Sequence, residues 1–394
     1  MAGYPGTIAS AWQQAGRAGR RGAPSVSIYV AGSSALDQFL MKHPEYFFGA
    51  SPESAHINPT NLPIYAAHLK CAAFEVPFEE AESFCGTDAG PVLQYLEDEH
   101  LLRHSGNRWH YASDAYPAED ISLRSAAGEN FIVLDTGRQN EVIAEVDFDS
   151  APFLIHDDAV YIHNGRPYLV EKLDWDRRTA YVRHKAVDYY TDAESSSTVQ
   201  VLMVDDELPG APGALIVARR FGDVSVQTVI AKFKKVKFET QESIGYGPVQ
   251  VPALEIQTQA AWLTLSGDEL RRMNARFSDL GGALRGIAAL LRHAVPLHVL
   301  CDPRDFSVYA TLKSPFDQQP AVYAWDRYPG GIGIAQRVHR SFPEILATAR
   351  RMVGECSCER GCPSCIGAQM ETEKDLKGAT IALLEVLLSD VSKG

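Results

Sequence analysis

The stretch Cys356-Ser-Cys358-Glu-Arg-Gly-Cys362-Pro-Ser-Cys365 constrains this chain more than any other. Four thiols spaced C-x-C-x3-C-x2-C can close a tetrahedral shell around one metal ion without a distant ligand. A segment bound in that way must fold back on itself, and Gly361 and Gly367 permit the backbone to do so. Zinc suits four thiolates best, and an iron–sulfur cluster is the competing occupant. With Cys356, Cys358, Cys362 and Cys365 all committed, no coordination position stays open, so the site is expected to be structural rather than catalytic. Seven cysteines, four of them here, indicate metal binding in a reducing compartment, hence a cytoplasmic location, rather than a disulfide framework. Cys71 and Cys85 stand in helix-like apolar surroundings and read as small buried hydrophobes. Cys301 reads as a separate core residue that could approach the cluster.

A second concentration of chemistry lies near the start, Gln13-Gln14-Ala15-Gly16-Arg17-Ala18-Gly19-Arg20-Arg21. An apolar run from Ile8 to Trp12 precedes it, with Thr7 or Ser10 able to cap a helix. If that helix continues, Gln13, Arg17 and Arg20 fall at i, i+4 and i+7 on one face. Gly16 and Gly19 between them allow close approach of a ligand. One glutamine and two arginines presented together suit phosphate oxygens, and an arginine finger for phosphoryl transfer is the sharpest reading. The plain alternative is a solvated basic face.

The net charge of −13 argues against attraction of nucleic acid to the whole surface. Local basic stretches remain: residues 1–36 hold three arginines and no acid, and Arg219–Lys237 holds six basic residues against Asp223. No apolar run is long enough for a membrane span, because Arg285 and Arg292 interrupt the Leu280–Leu300 region. The N-terminus has no basic region followed by an apolar core, so no signal peptide is expected.

Taken in order, Ser25–Val30 reads as a short strand and Ala35–Lys42 as a helix. Helices are expected over Asn61–Phe74 and Gly90–His100. Two short strands around Ser105-Gly106-Asn107 follow, a pattern that suggests a winged helix. Arg103, Arg108 and Trp109 there could touch a phosphate backbone or stack on a base, unless Trp109 belongs to the core. Between 126 and 262 strand-like runs recur: Phe131–Leu134, Val142–Phe148, Ala159–His163, Tyr168–Leu173, Thr179–His184, Val199–Val204, Ala214–Arg220 and Ser225–Phe238. They read as a compact β domain, a small barrel in outline. Lys232 and Lys234 on the last run are candidates for lining a nucleic-acid groove; an edge protected by lysines is the alternative. Asp268–His293 reads as one long amphipathic helix, Val295–Cys301 and Ala321–Asp326 as strands, and Leu376–Val391 as a closing helix. Tyr328-Pro329-Gly330-Gly331-Ile332-Gly333 opens a helix ending near Arg351. It lacks the third glycine of a dinucleotide fingerprint and reads as a tight strand-to-helix turn.

Gln13-x-x-Gly16-Arg17-x-Gly19-Arg20 resembles motif VI of superfamily 2 helicases, and Gly3-Tyr4-Pro5-Gly6-Thr7 resembles the segment before it. The resemblance implies that Gln13, Arg17 and Arg20, with Gly16 and Gly19, complete an ATP site between two RecA-like domains. No G-x-x-x-x-G-K-[ST] loop or Asp-Glu-Ala-His box occurs in the sequence. ATP and Mg would therefore bind only with an N-terminal RecA-like motor domain, and this polypeptide alone is expected not to hydrolyse ATP. Further segments extend the resemblance: Ser51-Pro52-Glu53-Ser54-Ala55-His56-Ile57-Asn58-Pro59, Val187–Thr191, Cys301-Asp302-Pro303, Pro329–Gly333 and the cysteine cluster. Together they resemble the mitomycin-repair-factor and Hrq-type DEAD/DEAH-box DNA helicases over nearly the whole chain. That implies a DNA-repair translocase acting 3′-to-5′ on single-stranded or 3′-tailed DNA, with a structural zinc and no membrane partner. The fold class expected is multidomain α+β. Residues 1–50 would end the second RecA-like domain, and 51–125 would form a winged helix. Residues 126–262 would form a small β-barrel-like domain, and 263–394 an α/β zinc-binding domain. A non-enzymatic nucleic-acid or partner-binding module and an RNA helicase fragment are the other readings of the same residues.

Overall fold

A computed structural model describes residues 1–19, 24–53, 58, 61–119, 121, 130–273, 279–367 and 375–392. The chain divides into two compact units. One comprises Met1–Asn58, Val199–Ser225 and Gln257–Gly394; the other comprises Pro59–Thr198 and Val226–Ile256. Each mixes helix and strand, in keeping with the multidomain α+β class.

The first unit is built on the helix Leu280–Val299. Asp279 caps its start, accepting the Gly282 N–H at 2.9 Å. A Cβ added at Gly282 or Gly286 would come within 2.5 Å of Leu376 or Thr380. Glycine thus lets this helix lie close against Leu376–Val391. Both helices, with Phe342–Glu355, share one apolar core with residues of the strands Leu254–Leu265, Ala321–Asp326 and Phe306–Thr311. Those strands pair antiparallel in that order, Trp262 opposite Tyr323 and Tyr309 opposite Tyr323. Each fully buried Leu or Ile here contributes about 1.5–3 kcal/mol.

Several sequence expectations change in this unit. Val295–Cys301 is not a strand: Val295 to Val299 complete the long helix, which ends at Leu300 in the left-handed region (φ 56°). An apolar run broken only by His298 has no clear period to separate helix from buried strand; here Val295, Leu297 and Val299 are buried while His298 faces outward and meets Thr348 at 2.7 Å. Asp268–His293 is two helices, Gly267–Met273 and Leu280–Val299. The helix after the glycine turn is also two, Ile334–Arg340 and Phe342–Glu355, with Pro343 at the start of the second. Ser25–Val30 makes one isolated parallel bridge, Val30 to Ala2, instead of a strand. Val26, Ile28 and Val30 are 82%, 69% and 63% exposed, so strand-forming side chains find no packed sheet face among the described residues. Ala214–Arg220 and Ser225–Phe238 are one strand, Ile216–Lys237. Gly222 is not a turn there. A Cβ on it would stand 2.2 Å from the Met203 carbonyl, because 202–205 runs alongside.

In the second unit Leu62–Glu75 is capped by Asn61, whose side chain accepts the Ile64 N–H at 3.1 Å. With Gly90–Asp98 it packs on a hairpin, Leu102–Ser105 and Arg108–Tyr111, that turns at Gly106 (φ 68°). Tyr65, Leu69, Leu93, Leu96, Leu102 and Trp109 form the core of this helix-and-wing arrangement. Cys85 departs from the expectation of a buried hydrophobe: it is exposed, at φ 51° in the turn between Ser83–Phe84 and Thr87–Asp88, while Cys71 is half-buried.

The strand-like runs between 126 and 262 divide between two sheets. Asn130–Asp135, Glu141–Asp147, Val160–His163, Arg166–Asp174 and Thr179–His184 form one, in the order second, first, fifth, fourth, third. The first and fifth run parallel; the other pairs are antiparallel. Alternate residues Phe131, Val133, Tyr168, Val170, Ala180 and Val182 face one core. The sheet curls enough that its two outermost strands, at Glu141–Ile143 and His163, line one open cavity of about 430 Å3. Tyr189–Val201, Ile216–Lys237 and Leu254–Leu265 belong to the other sheet.

Candidate functional site

The arginine segment starts from the helix Ile8–Ala15. Thr7 is its cap, accepting the Ser10 N–H at 3.1 Å. The Glu53 carboxylate adds two bonds, from Ile8 N at 2.6 Å and Ala9 N at 2.8 Å, and its charge suits the positive helix end. The helix stops at Ala15, so Gln13 and Arg17 do not share one continuous helical face. Gly16 closes it, and Arg17 and Ala18 turn back on Gln14 and Ala15 through backbone bonds. Gly19 follows at φ 73°, a conformation that favours glycine. Gln13, Gly16, Arg17 and Gly19 are all exposed, with Arg17 in the turn rather than on the helix. Arg20 and Arg21 lie outside the described residues. The preceding Gly6 (φ 94°) packs on Pro303, so the Asp302-Pro303 corner supports this segment from below.

At the other pole the four cysteine sulfurs converge. Cys356–Cys358 and Cys358–Cys365 are 3.5 Å apart, Cys356–Cys362 and Cys362–Cys365 3.7 Å, and all four sulfurs lie within 4.8 Å of one another. A regular tetrahedron with zinc–sulfur bonds of about 2.3 Å has edges of about 3.8 Å, so the donor set fits the ion. Cys362 starts the short helix Pro363–Ile366, and Gly361 and Gly367 take positive φ as the fold-back requires. Burial works against a Cys362 thiolate, yet the N–H groups of Cys365 and Ser364 hold it down at about 7. Burial pushes Cys365 up, and metal binding would remove its proton. Cys301 is buried in the core and is not one of the converging donors; burial pushes its thiol up to about 12.

The glycine turn holds an anion of the protein's own. Asp326, fully buried, accepts N–H groups from Ile332 at 2.6 Å, Gly333 at 3.0 Å, Ile334 at 3.2 Å and Ala335 at 2.7 Å. Its carboxylate fills the place a dinucleotide phosphate would take, which confirms a structural turn. Burial pushes this carboxyl up, against the pull of the four donors.

The nucleic-acid candidates separate. Trp109 is not available to a base: it is 8% exposed, stacked on His104 with ring centroids 4.4 Å apart. Alternation along Arg108–Tyr111 points residue 109 inward, against Leu69 and Leu93 in the small core. Arg108 is exposed but bound to Glu79 at 2.7 Å. Arg103 is exposed, with no acidic partner among the described residues. Lys232 and Lys234 share one face of their strand and are each matched by an acid on Tyr189–Val201, Glu194 at 2.8 Å and Asp192 at 2.9 Å. Lys232 also sits 5.3 Å over the Tyr246 ring. A ladder neutralised in this way presents little net positive field.

Glu53, Asp326 and Lys377 hold positions that no sequence pattern announces. Their partners lie far along the chain or on backbone atoms, so no local spacing marks them. No helix among the described residues is long and apolar enough to cross a membrane.

Two domain families match. The winged-helix domain of the ATP-dependent helicase HRQ1 matches residues 57–126, and the MrfA Zn-binding domain matches residues 287–366. With the sulfur geometry, the latter makes the Cys356–Cys365 knuckle a structural zinc site. The uncharacterized ATP-dependent helicase YprA of Bacillus subtilis is 45% identical over 374 residues, 94% of this chain and 49% of YprA. The ATP-dependent helicase HRQ1 of Saccharomyces cerevisiae is 25% identical over 95% of this chain and 36% of its own length. The crystal structure of the DUF1998 helicase MrfA bound to DNA superposes with TM-score 0.62 at 43% identity, covering 98% of this chain and 51% of MrfA. MrfA bound to DNA and AMPPNP superposes with TM-score 0.61 at 42% identity, over 97% of this chain and 49% of that one. The chain thus spans about half or less of the length of these relatives. With both domain types matched and the alignments running over nearly all of it, the chain is a relative of the MrfA, YprA and Hrq1 helicases that corresponds to their C-terminal part.

Proposed function

We propose that this chain supplies the C-terminal part of an ATP-dependent DNA helicase or translocase that works in DNA repair. The observation that carries the reading is the alignment of 94% of the chain with an ATP-dependent helicase and its superposition on a helicase bound to DNA. In this reading Arg17 and Arg20, with Gln13, complete an ATP site whose phosphate-binding half and Mg lie on an N-terminal RecA-like motor. Bound ATP supplies the phosphoryl group; the arginines stabilise its charge during transfer. The exposure of Gln13 in the last turn of a doubly capped helix, and of Arg17 just past it, supports this role. Gly16 and Gly19 leave room for the phosphate. Single-stranded DNA runs over the wing, held by Arg103 and by Arg108 once it leaves Glu79. Lys232 and Lys234 contribute less, because Glu194 and Asp192 already hold them.

The test has two arms. Fluorescence anisotropy of a labelled single-stranded oligonucleotide, titrated over a salt series, should show saturable binding that weakens steeply with salt. Arg103→Ala should lower the salt slope by about one phosphate contact. No binding even at low salt removes the DNA-guiding role. In the second arm this chain is joined to a motor half bearing the G-x-x-x-x-G-K-[ST] loop. Arg17→Ala should cut ATP turnover by about 10³-fold while DNA affinity holds. Equal turnover in variant and parent rules out the finger. DNA binding without ATPase in the joined protein favours the second reading, a non-enzymatic binding module.

A further inference from the structure

The zinc knuckle is held from outside by a side chain that is not a ligand. Lys377 donates from its ammonium to the carbonyl oxygens of Cys356 and Cys358, each at 2.7 Å. Its backbone N–H donates to the Arg360 carbonyl at 2.9 Å. One residue therefore grips three carbonyls within five consecutive positions of the C-x-C arm. That arm, from Cys356 to Gly361, contains no helix or strand of its own.

Lys377 itself stands on a fixed support. It lies in the first turn of Leu376–Val391, capped by Asp375, whose carboxylate accepts the Gly378 N–H at 2.8 Å. Leu376, Ala379 and Leu383 of that helix are buried in the main core. The arm is thus tied to the helix through the lysine. Its charge has a second use. Four thiolates around Zn²⁺ carry a net charge of −2, and an ammonium on the carbonyls of two of the ligands offsets part of it. Lys42 and His43 anchor the entry to the same arm: Lys42 donates to the Glu355 carbonyl, and His43 Nε2 meets the Glu355 carboxylate at 2.9 Å.

We propose that Lys377 is the positioning residue of the zinc site: it holds Cys356 and Cys358 in ligating geometry and sets how tightly the ion is kept. Partners outside the ligand shell typically change metal affinity by about 10–100-fold. The experiment uses the whole zinc-loaded chain and a chromogenic chelator, reading both the equilibrium competition and the rate of zinc release. Lys377→Met, which keeps the length of the stem and removes the donors, should weaken zinc by about 10–100-fold. Lys377→Arg, which can still donate to both carbonyls, should stay within severalfold of the parent. Melting of the metal-free proteins separates this role from general support of the helix. Parent and Lys377→Met should melt alike without zinc and apart with it. Unchanged zinc competition and release in Lys377→Met would overturn the proposal. So would a metal-free variant destabilised as much as the zinc-loaded one, since the lysine would then only be scaffolding. If Lys377→Met does not fold, Lys377→Arg decides: parent-like zinc retention supports the proposal, and retention reduced 10-fold or more overturns it.

Discussion

Replacing Asp326 by Asn tests whether the glycine turn is held by an internal anion. The parent carboxylate accepts four N–H groups, three on Oδ2 and that of Ala335 on Oδ1. Asn preserves the shape and one acceptor oxygen. Placed at the Oδ2 position, that oxygen keeps Ile332, Gly333 and Ile334, but the amide nitrogen then faces the Ala335 N–H, donor against donor. One buried donor left unpaired costs about 1–3 kcal/mol. The three surviving bonds lose their charge assistance, about 1 kcal/mol each, while the relief of no longer burying an ion offsets much of that. The net cost is then about 2–3 kcal/mol, or roughly 30–150-fold in the local opening equilibrium. A chain of two compact units need not unfold in one step, so the readout should be local. Amide hydrogen exchange across 328–340 should speed up by that factor in Asp326→Asn. Asp326→Ala, which leaves all four donors unpaired, should lose more, about 4 kcal/mol or above. Exchange at Ile332–Ala335 within threefold of the parent in Asp326→Asn would refute the reasoning. Equal effects of Asn and Ala would refute the counting of bonds.

Cys362→Ser should lose zinc and lower the melting temperature of the first unit; unchanged metal content by elemental analysis and an unchanged melting curve would contradict the closed four-thiolate shell. Gly286→Ala should destabilise by about 1–3 kcal/mol, because the new methyl would stand 2.5 Å from Thr380 Oγ1, whose hydroxyl is committed to the Leu376 carbonyl; thermal melting checks it, and a neutral result means the two helices can separate freely. His156 is fully buried, and burial holds its imidazole below the usual range, against the opposing pull of the Asp157 carbonyl it donates to. The unfolded chain therefore takes up a proton first, and stability should fall as pH drops below about 6.5. Exchange across 130–184 between pH 7.5 and 5.5 should show this slope, flatter in His156→Gln; an unchanged slope assigns the acid sensitivity elsewhere.

What local spacing determines was legible in the chain itself. The thiol spacing alone marks a metal shell, because all four ligands fall within one short loop. The wing hairpin follows from Ser105-Gly106-Asn107 between alternating residues, and the bounds of Leu376–Val391 from helical periodicity. The arginine segment was legible as a resemblance, but its geometry was not. Gly16 ends the helix that the i, i+4, i+7 reading extends, and Gly19 takes positive φ beyond it. Tertiary structure decided whatever depends on a distant neighbour. Val295–Val299 is helix because Val295, Leu297 and Val299 join the core as the last turn of the long helix, a context that so short a run does not encode. Trp109 faces inward because of the strand it lies on and the helices that meet it there. Lys232 and Lys234 read as a basic stretch until a strand some forty residues earlier brings Asp192 and Glu194 opposite them. Glu53 and Lys377 are ordinary charged residues in the sequence; they acquire their roles by reaching backbone atoms at Ile8 and Ala9, and at Cys356 and Cys358. Hydrogen bonds and ion pairs act over about 3 Å in space whatever the separation along the chain, and folding alone sets which groups come that close.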